Sequence, residues 1–321
     1  METVQVALAS DANYFPGLLV TSVSLARHAS RDVALAFHVL DGGIGADNLT
    51  FLRGKLAAVH PHVKVKTYDV DATQFADFPE WTGGSRMAYA RLLMAEILSN
   101  VEHVLYCDVD FLWTGDVAEL WALRSDSVAL QACADGWCGT LSSEGRWFRD
   151  RGFAFDPDRY VCSGLLLVNL GLWRARRIGR RTMDFLTAHG DVQFADQTAF
   201  NAVVDDIAFL PRKWGRFSRE VKSGELPGAW AIHFAGGAPW CSNWWTSLIT
   251  PADLLWYRTY GELTGLSARQ ARRKFLSTRE YCKRRLAYWL AATPVVRGCF
   301  FTFLKAAGRG LYIPCLKGER L

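Results

Sequence analysis

The sequence has eight cysteines but no C-x-x-C pair, and no histidine joins them in a zinc-like cluster. That excludes a dithiol redox motif and a compact structural zinc site. The opening residues, "METVQVALAS", hold no basic stretch leading into an apolar run, so no signal peptide is legible. Together these absences predict a reducing, cytosolic compartment. Internal repeats, low-complexity linkers and recognised nucleic-acid motifs are also missing, and no nucleic-acid partner is expected. What is abundant is core material. Half of the 321 residues are hydrophobic and 13% aromatic, which excludes global disorder and suits one large domain or two modest ones. Thirteen tryptophans read first as packing.

The net charge of +5 is unevenly spread. From Ser267 onward there are 13 Lys/Arg against 2 Asp/Glu, while residues 1–266 carry 24 basic and 30 acidic side chains. A mildly acidic body over 1–266 and a basic, aromatic tail over 267–321 are therefore expected. Within the tail, "LAYWLAATPVVRGCFFTFL" (286–304) has the length of a short membrane span, but Pro294 and Arg297 sit near its middle. An amphipathic segment on an anionic membrane surface is expected, placing the chain at the inner face of the membrane. A helical tail packed on the body is the alternative.

The first 120 residues alternate strand-like and helix-like runs. "VQVALAS" (4–10), "VALAFHVLDGG" (33–43), "VKVKTYDV" (63–70) and "HVLYCDVD" (103–110) read as strands. Between them, "PGLLVTSVSLARHAS", "ADNLTFLRGKLAAVH" and "MAYARLLMAEIL" (87–98) read as helices, the first with proline in its first turn. This alternation implies a mainly parallel, three-layered α/β sheet. Later, "SVALQACAD", "SGLLLVNL" and "WAIHFAGG" (230–237) read as strands, and "LWRARRIGRRTMDFLTAHG" as a helix.

In open α/β sheets, ligands collect beyond the carboxyl ends of the strands. Two such ends carry polar clusters, "SDANY" (10–14) and "DVD" (108–110). Residues two apart in a strand share a face, so Asp108 and Asp110 converge. They form either the polar lip of an ordinary strand or a seat for a cation. Hard oxygen ligands suit Mg²⁺ or Mn²⁺, and one added imidazole favours Mn²⁺. By itself, "SDANY" is an Asx-type turn, Arg91 in "YARL" a helix-surface cation, "ADQT" a helix N-terminus, and His233 a satisfied half-buried histidine.

Their order changes the reading. "SDANYFPGLLVTSVSLARH", "YARL", "VLYCDVDFL", "CSGLLLVNLGLWR", "ADQTAFNAVV" and "IHFAGGAPW" follow one another along the chain. Over roughly residues 4 to 262 the sequence resembles the retaining glycosyltransferases of family 8, above all bacterial lipopolysaccharide galactosyl- and glucosyltransferases. Glycogenin and galactinol synthase are more distant relatives. The resemblance implies the GT-A nucleotide-sugar fold, with a Rossmann-like mixed sheet and helices on both faces. It also implies transfer of a hexose from a UDP-sugar to a glycan or glycolipid acceptor. By the same resemblance Asp108, Asp110 and His233 would hold Mn²⁺ (or Mg²⁺) on the donor diphosphate. Ser10, Asp11, Asn13 and Tyr14 would meet uracil and ribose. Arg91, Val109, Ser163, Gly164 and Gly236 would line the donor site. Asp196 would bind sugar hydroxyls, and the Gln197 amide would lie near the anomeric carbon.

Two departures stand out. The family pattern H-x-x-G-x-x-K-P-W becomes "HFAGGAPW" here, one residue shorter, with Ala238 before Pro239 and Trp240 and no lysine. Lys213 and Lys222 in the preceding loop are the candidates to replace that charge. In "CSG", Cys162 stands where an asparagine often leads. The alternative function is a nucleotide-sugar-binding protein with little or no turnover. "PWCSNWW", with Trp240, Trp244 and Trp245, reads as partly core, or else as a platform for an acceptor sugar.

Overall fold

The structure, a computed structural model, describes residues 1–79, 85–136, 138–241 and 248–292. The chain opens with β1 (Thr3–Ser10), α1 (Phe15–His28), β2 (Ala34–Asp41), α2 (Ala46–Val59) and β3 (Val63–Asp69). Next come α3 (Met94–Ile97), β4 (His103–Cys107), β5 (Phe111–Trp113), α4 (Val117–Trp121), β6 (Leu130–Ala134), α5 (Cys138–Asp150) and β7 (Val161–Asn169). Then follow α6 (Leu170–Ala175), α7 (Ile178–Ala188), α8 (Ala195–Val203), β8 (Ile207–Phe209), β9 (Arg216–Phe217) and β10 (Ala231–His233). Helices α9 (Pro251–Thr264), α10 (Ala268–Phe275) and α11 (Thr278–Ala292) complete it.

Seven strands form one sheet in the order β3-β2-β1-β4-β7-β6-β8, and three form a second, β5-β10-β9. The first four strands pair in parallel, but β7 runs antiparallel to both β4 and β6, so the sheet is mixed. Alternation along β1 sends Val4, Val6 and Leu8 to one core and Ala7 and Ala9 to the other. Burial on both faces explains why this strand reads as a continuous apolar run. Helices α1 and α9 cover the first core; α8 and the Arg86–Leu93 segment cover the second.

Three expected elements differ. The helix expected over 87–98 is a 3-10 run, Arg86–Leu93, followed by the short α3. The strand expected to reach residue 110 stops at Cys107, and Asp108–Asp110 turn the chain into β5. The long helix after β7 is broken at Arg177, whose φ is 53°. The break lets Gly179 approach so closely that a Cβ there would lie 2.3 Å from the Leu92 carbonyl oxygen.

The basic segment begins as part of the folded body. Helix α9 starts with a Thr250–Asp253 capping box and ends at Gly265, whose φ of 72° suits glycine. A second capping box, Ser267–Gln270, starts α10, and Ala271 and Leu276 are buried against the first core or beside it. No helix among the described residues is long and apolar enough to cross a membrane.

Candidate active site

Two strand registers build the site. In the small sheet His233 pairs with Phe111, and the Phe234 N–H donates to the Asp110 carbonyl at 2.9 Å. This sets the imidazole beside the residue before Phe111. In the large sheet Cys107 pairs with Leu165, and the Asp108 N–H donates to the Gly164 carbonyl at 2.8 Å. Helix α1 fixes the acidic turn from beneath. The Thr21 hydroxyl lies 2.7 Å from the carbonyls of both Val109 and Phe111, and it accepts the Phe111 N–H at 3.2 Å. Ser24 accepts the Trp113 N–H at 3.0 Å.

Asp108, Asp110 and His233 each present one ligand atom, all within 4.8 Å of one another. His233 Nε2 lies 3.2 Å from Asp110 Oδ1, an atom that is buried and receives no hydrogen bond. Asp108 Oδ1 accepts from Arg91 Nη2 at 2.7 Å and from the Tyr106 hydroxyl at 2.9 Å. Its Oδ2 faces Gly164, where a Cβ would sit 3.2 Å from it and 2.5 Å from His233 Cε1. Two carboxylates, one imidazole and a cleared space above them fit a divalent cation with positions left for phosphate oxygens. Burial pushes the Asp108 carboxyl up to about 6, with Arg91 opposing and Asp110 adding to the rise. Burial pulls the His233 imidazole down, but Asp110 and then Cys162 more than offset this and raise it. The Cys162 thiol lies 3.7 Å from His233 Nδ1.

The triad opens onto a cavity of about 390 Å³ whose lining also includes Arg91, Ser163, Gly164, Asp196, Gln197 and Gly236. Arg91 is no helix-surface cation. It is 2% exposed, donates to the carbonyls of Ala88 and Ser163, and pairs with both Asp108 and Asp196 (3.3 Å). Asp196 and Gln197 stand in the first turn of α8, just after Ala195, whose φ of 49° turns the chain. Gln197 Oε1 accepts the Ser163 N–H at 3.1 Å, and its Nε2 donates to Asp135 Oδ2 at 3.0 Å. These partners define the amide orientation, since a flip would oppose donor to donor and acceptor to acceptor.

Asp135 is not among the residues that the sequence motifs single out. It is 4% exposed, lines the cavity and follows the end of β6 as Asp108 follows β4. A carboxylate just past a strand's carboxyl end was the signal available.

Other candidates lie off the cavity lining. Asp11 makes the expected turn, its Oδ1 accepting the N–H groups of Asn13 (2.8 Å) and Tyr14 (3.2 Å). Ser10 is buried, Asn13 is exposed, and Tyr14 is half-buried with its ring edge-on to Trp240. Asp11 reaches the cavity through the Ser85 hydroxyl, which donates to its Oδ2. Trp240 is core, wedged against Gly17 and Trp256. Trp244 and Trp245 lie outside the described residues. Neither Lys213 nor Lys222 lines the cavity; Lys213 pairs with Glu119 at 3.3 Å and sits 3.4 Å above the Trp230 ring.

Comparison with known proteins agrees with this geometry. A glycosyltransferase-like protein of Haemophilus influenzae is 26% identical over 204 residues, 63% of this chain and 59% of that one. General stress protein A of Bacillus subtilis is 23% identical over 263 residues, 75% of this chain and 89% of its own. The lipopolysaccharide 1,3-galactosyltransferase of Salmonella typhimurium is 24% identical over 219 residues, 65% of this chain and 62% of that enzyme. Thus the chain spans about three-fifths of the length of the first and third of these relatives. Among solved structures, the galactosyltransferase LgtC with donor and acceptor sugar analogues superposes with a TM-score of 0.68 at 23% identity. That likeness covers 81% of this chain and 96% of LgtC, and it establishes the GT-A fold. The model of glycosyl transferase family 8 matches residues 5–242, a span that contains the mixed sheet, the acidic turn and His233 alike: this chain belongs to that family.

Proposed function

We propose that the chain is a retaining hexosyltransferase, moving glucose or galactose from a UDP-sugar to a glycan or glycolipid acceptor. The observation that carries this is the meeting of Asp108, Asp110 and His233 over Gly164, whose missing side chain clears the space above them. Mn²⁺ (or Mg²⁺) is the ion assigned to these ligands; when bound, it supplies positive charge to a departing diphosphate. Asp11, Asn13 and Tyr14 are assigned to uracil and ribose, with Ser10 and Val109 as backbone neighbours. Ser163, Gly164 and Gly236 are assigned to the donor-facing wall. Asp196 is assigned to hydroxyls of the donor sugar. Arg91 bridges Asp108 and Asp196, and so holds the metal-ligand carboxylate and the sugar-binding one at a fixed separation.

For the transfer itself, attack by the acceptor on the same face as the departing diphosphate is favoured. The neutral Gln197 amide is a poor nucleophile, but its oriented oxygen can stabilise positive charge developing at the anomeric carbon. The test is proton NMR of the product from UDP-glucose or UDP-galactose with Mn²⁺ and a panel of acceptors. An α-linked product from the α-linked donor supports the reading, and a β-linked product contradicts it. A sugar adduct on Asp135 or Gln197 in intact-mass spectra would instead favour double displacement.

The tail over 267–321 is assigned to an anionic membrane surface, with a membrane-associated glycan as acceptor. Leu286 and Trp289 of α11 are 60% and 65% exposed beside Lys283 and Arg285, a pattern suited to a lipid interface. Because α10 packs on the body, the informative truncation removes residues 293–321 and is combined with Trp289→Ser. Loss of co-sedimentation with anionic vesicles is expected; unchanged sedimentation contradicts the assignment.

A further inference from the structure

We infer that Tyr160 and Glu144 form a buried pair that fixes which end of the Gln197 amide faces Ser163 and which faces Asp135. The inference rests on the part assigned to Gln197 above and names two positioning residues which that reading does not assign. Three segments bring them together. Tyr160 immediately precedes β7, and its carbonyl accepts the Asp135 N–H at 3.0 Å, so its side chain starts where β6 ends. Glu144 comes from α5, between those two strands. Gln197 comes from the first turn of α8, which Asn201 clamps to the start of β7. The Asn201 amide accepts the Val161 N–H at 2.8 Å and donates to the Val161 carbonyl at 2.9 Å.

The pair acts through hydrogen-bond polarity. The Tyr160 hydroxyl donates to Glu144 Oε2 at 2.7 Å. This commits the only proton of the phenol, whose oxygen has lone pairs alone for other neighbours. Gln197 Nε2 donates to that oxygen at 3.4 Å and to Asp135 Oδ2 at 3.0 Å. Both amide N–H groups are then used, and Gln197 Oε1 is turned to the Ser163 N–H at 3.1 Å. A carbonyl oxygen accepts twice, so one lone pair remains for positive charge at the anomeric carbon. An inverted amide would present N–H groups there, and would set its oxygen against the phenol and carboxylate oxygens. Asp135 lines the cavity, where sugar hydroxyls compete for its oxygens. Tyr160 and Glu144 do not line it; they are 2% and 0% exposed. Their hold on the amide therefore persists with a ligand bound, and burial makes a reversed hydrogen bond costly.

The test measures UDP release from the better of UDP-glucose and UDP-galactose, with Mn²⁺ and acceptor, in wild type, Tyr160→Phe, Glu144→Gln and Gln197→Ala. Calorimetric titration with UDP and Mn²⁺ runs beside it. Tyr160→Phe removes the phenol oxygen. Glu144→Gln lets the residue donate to the phenol, and so releases the phenol proton toward Gln197. A fall in kcat of about tenfold is expected in both, with KM for the donor and UDP affinity unchanged. Wild-type kcat in either variant overturns the inference alone. So does a loss of kcat matched by weaker UDP binding, the mark of a merely structural role. If Tyr160→Phe does not fold, Glu144→Gln decides. Wild-type kcat in Gln197→Ala overturns the part assigned to Gln197 and the inference with it. Wild type that binds UDP but transfers from neither donor overturns the hexosyltransferase reading, and the inference falls with that reading.

Discussion

Gly164 has no side chain, and the His233 imidazole and Asp108 carboxylate crowd the place one would occupy. A methyl group there would stand 2.5 Å from His233 Cε1 and 2.9 Å from Nε2, so Gly164→Ala must displace the ring. Mn²⁺ affinity should fall by roughly ten- to a hundred-fold, the range seen when groups around metal ligands are altered, with the fold retained. Electron paramagnetic resonance titration of free Mn²⁺ reads this directly. The same site predicts a pH dependence. With Asp108 pushed up to about 6, the metal-free carboxyl gains a proton as the pH falls through that value. Metal binding must expel this proton and the one held by the raised His233 imidazole, so Mn²⁺ affinity should fall as the pH drops and fall more steeply below about pH 6, by up to about tenfold per pH unit for each proton. A flat affinity between pH 7.5 and 5 would contradict the assignment. Asp135 marks the limit of what single residues disclose. A lone carboxylate after a strand resembles many others, and only folding sets it 3.0 Å from Gln197 Nε2.

At the level of elements, the acidic turn depends on α1. Thr21 contacts carbonyls 88 and 90 residues away, so the hydroxyl's role is invisible in the local pattern. Thr21→Val leaves the Phe111 N–H without its acceptor in a buried place. About 1–3 kcal/mol of stability should be lost, together with weaker Mn²⁺ binding, as read by denaturant unfolding and metal titration. Unchanged stability and metal affinity would show that the turn holds itself. The same long-range control explains the elements that were misjudged. Apolar alternation ran through "VLYCDVD", but the chain leaves the sheet after Cys107 because the next residues turn over α1. Periodicity suggested one helix around Arg91. The segment instead winds as a 3-10 run whose arginine is drawn inward by Asp108 and Asp196, residues far away in the sequence. The strand order itself was only partly legible. Alternating strands and helices signalled the parallel half, whereas the antiparallel β7 carried no local mark.

Across the whole molecule, a sheet buried between two cores positions the site, and it should also confer acid sensitivity. His38 on β2 is 3% exposed, with Nε2 2.8 Å from Gln5 Oε1 and Nδ1 3.0 Å from the Tyr68 hydroxyl. These partners suit a neutral ring, with Nε2–H donating and Nδ1 accepting. Burial, helped by Lys66, lowers its pKa from the usual 6.5 to about 4. The folded chain therefore binds fewer protons than the unfolded chain between those values. Stability is complete above pH 6.5 and falls as the pH drops toward 4, by about 3 kcal/mol in all. Urea midpoints at pH 7 and pH 5 should show this decline in wild type and a smaller one in His38→Gln; equal declines would assign the slope to other groups.

The most direct measurement is release of UDP from UDP-galactose and UDP-glucose with an acceptor panel, with Mn²⁺ or with EDTA, in wild type and Asp110→Ala. Release that requires the acceptor, the metal and Asp110 together is the predicted result. Release that persists in EDTA or in Asp110→Ala, or tight nucleotide-sugar binding with no release from any donor and acceptor, would contradict it.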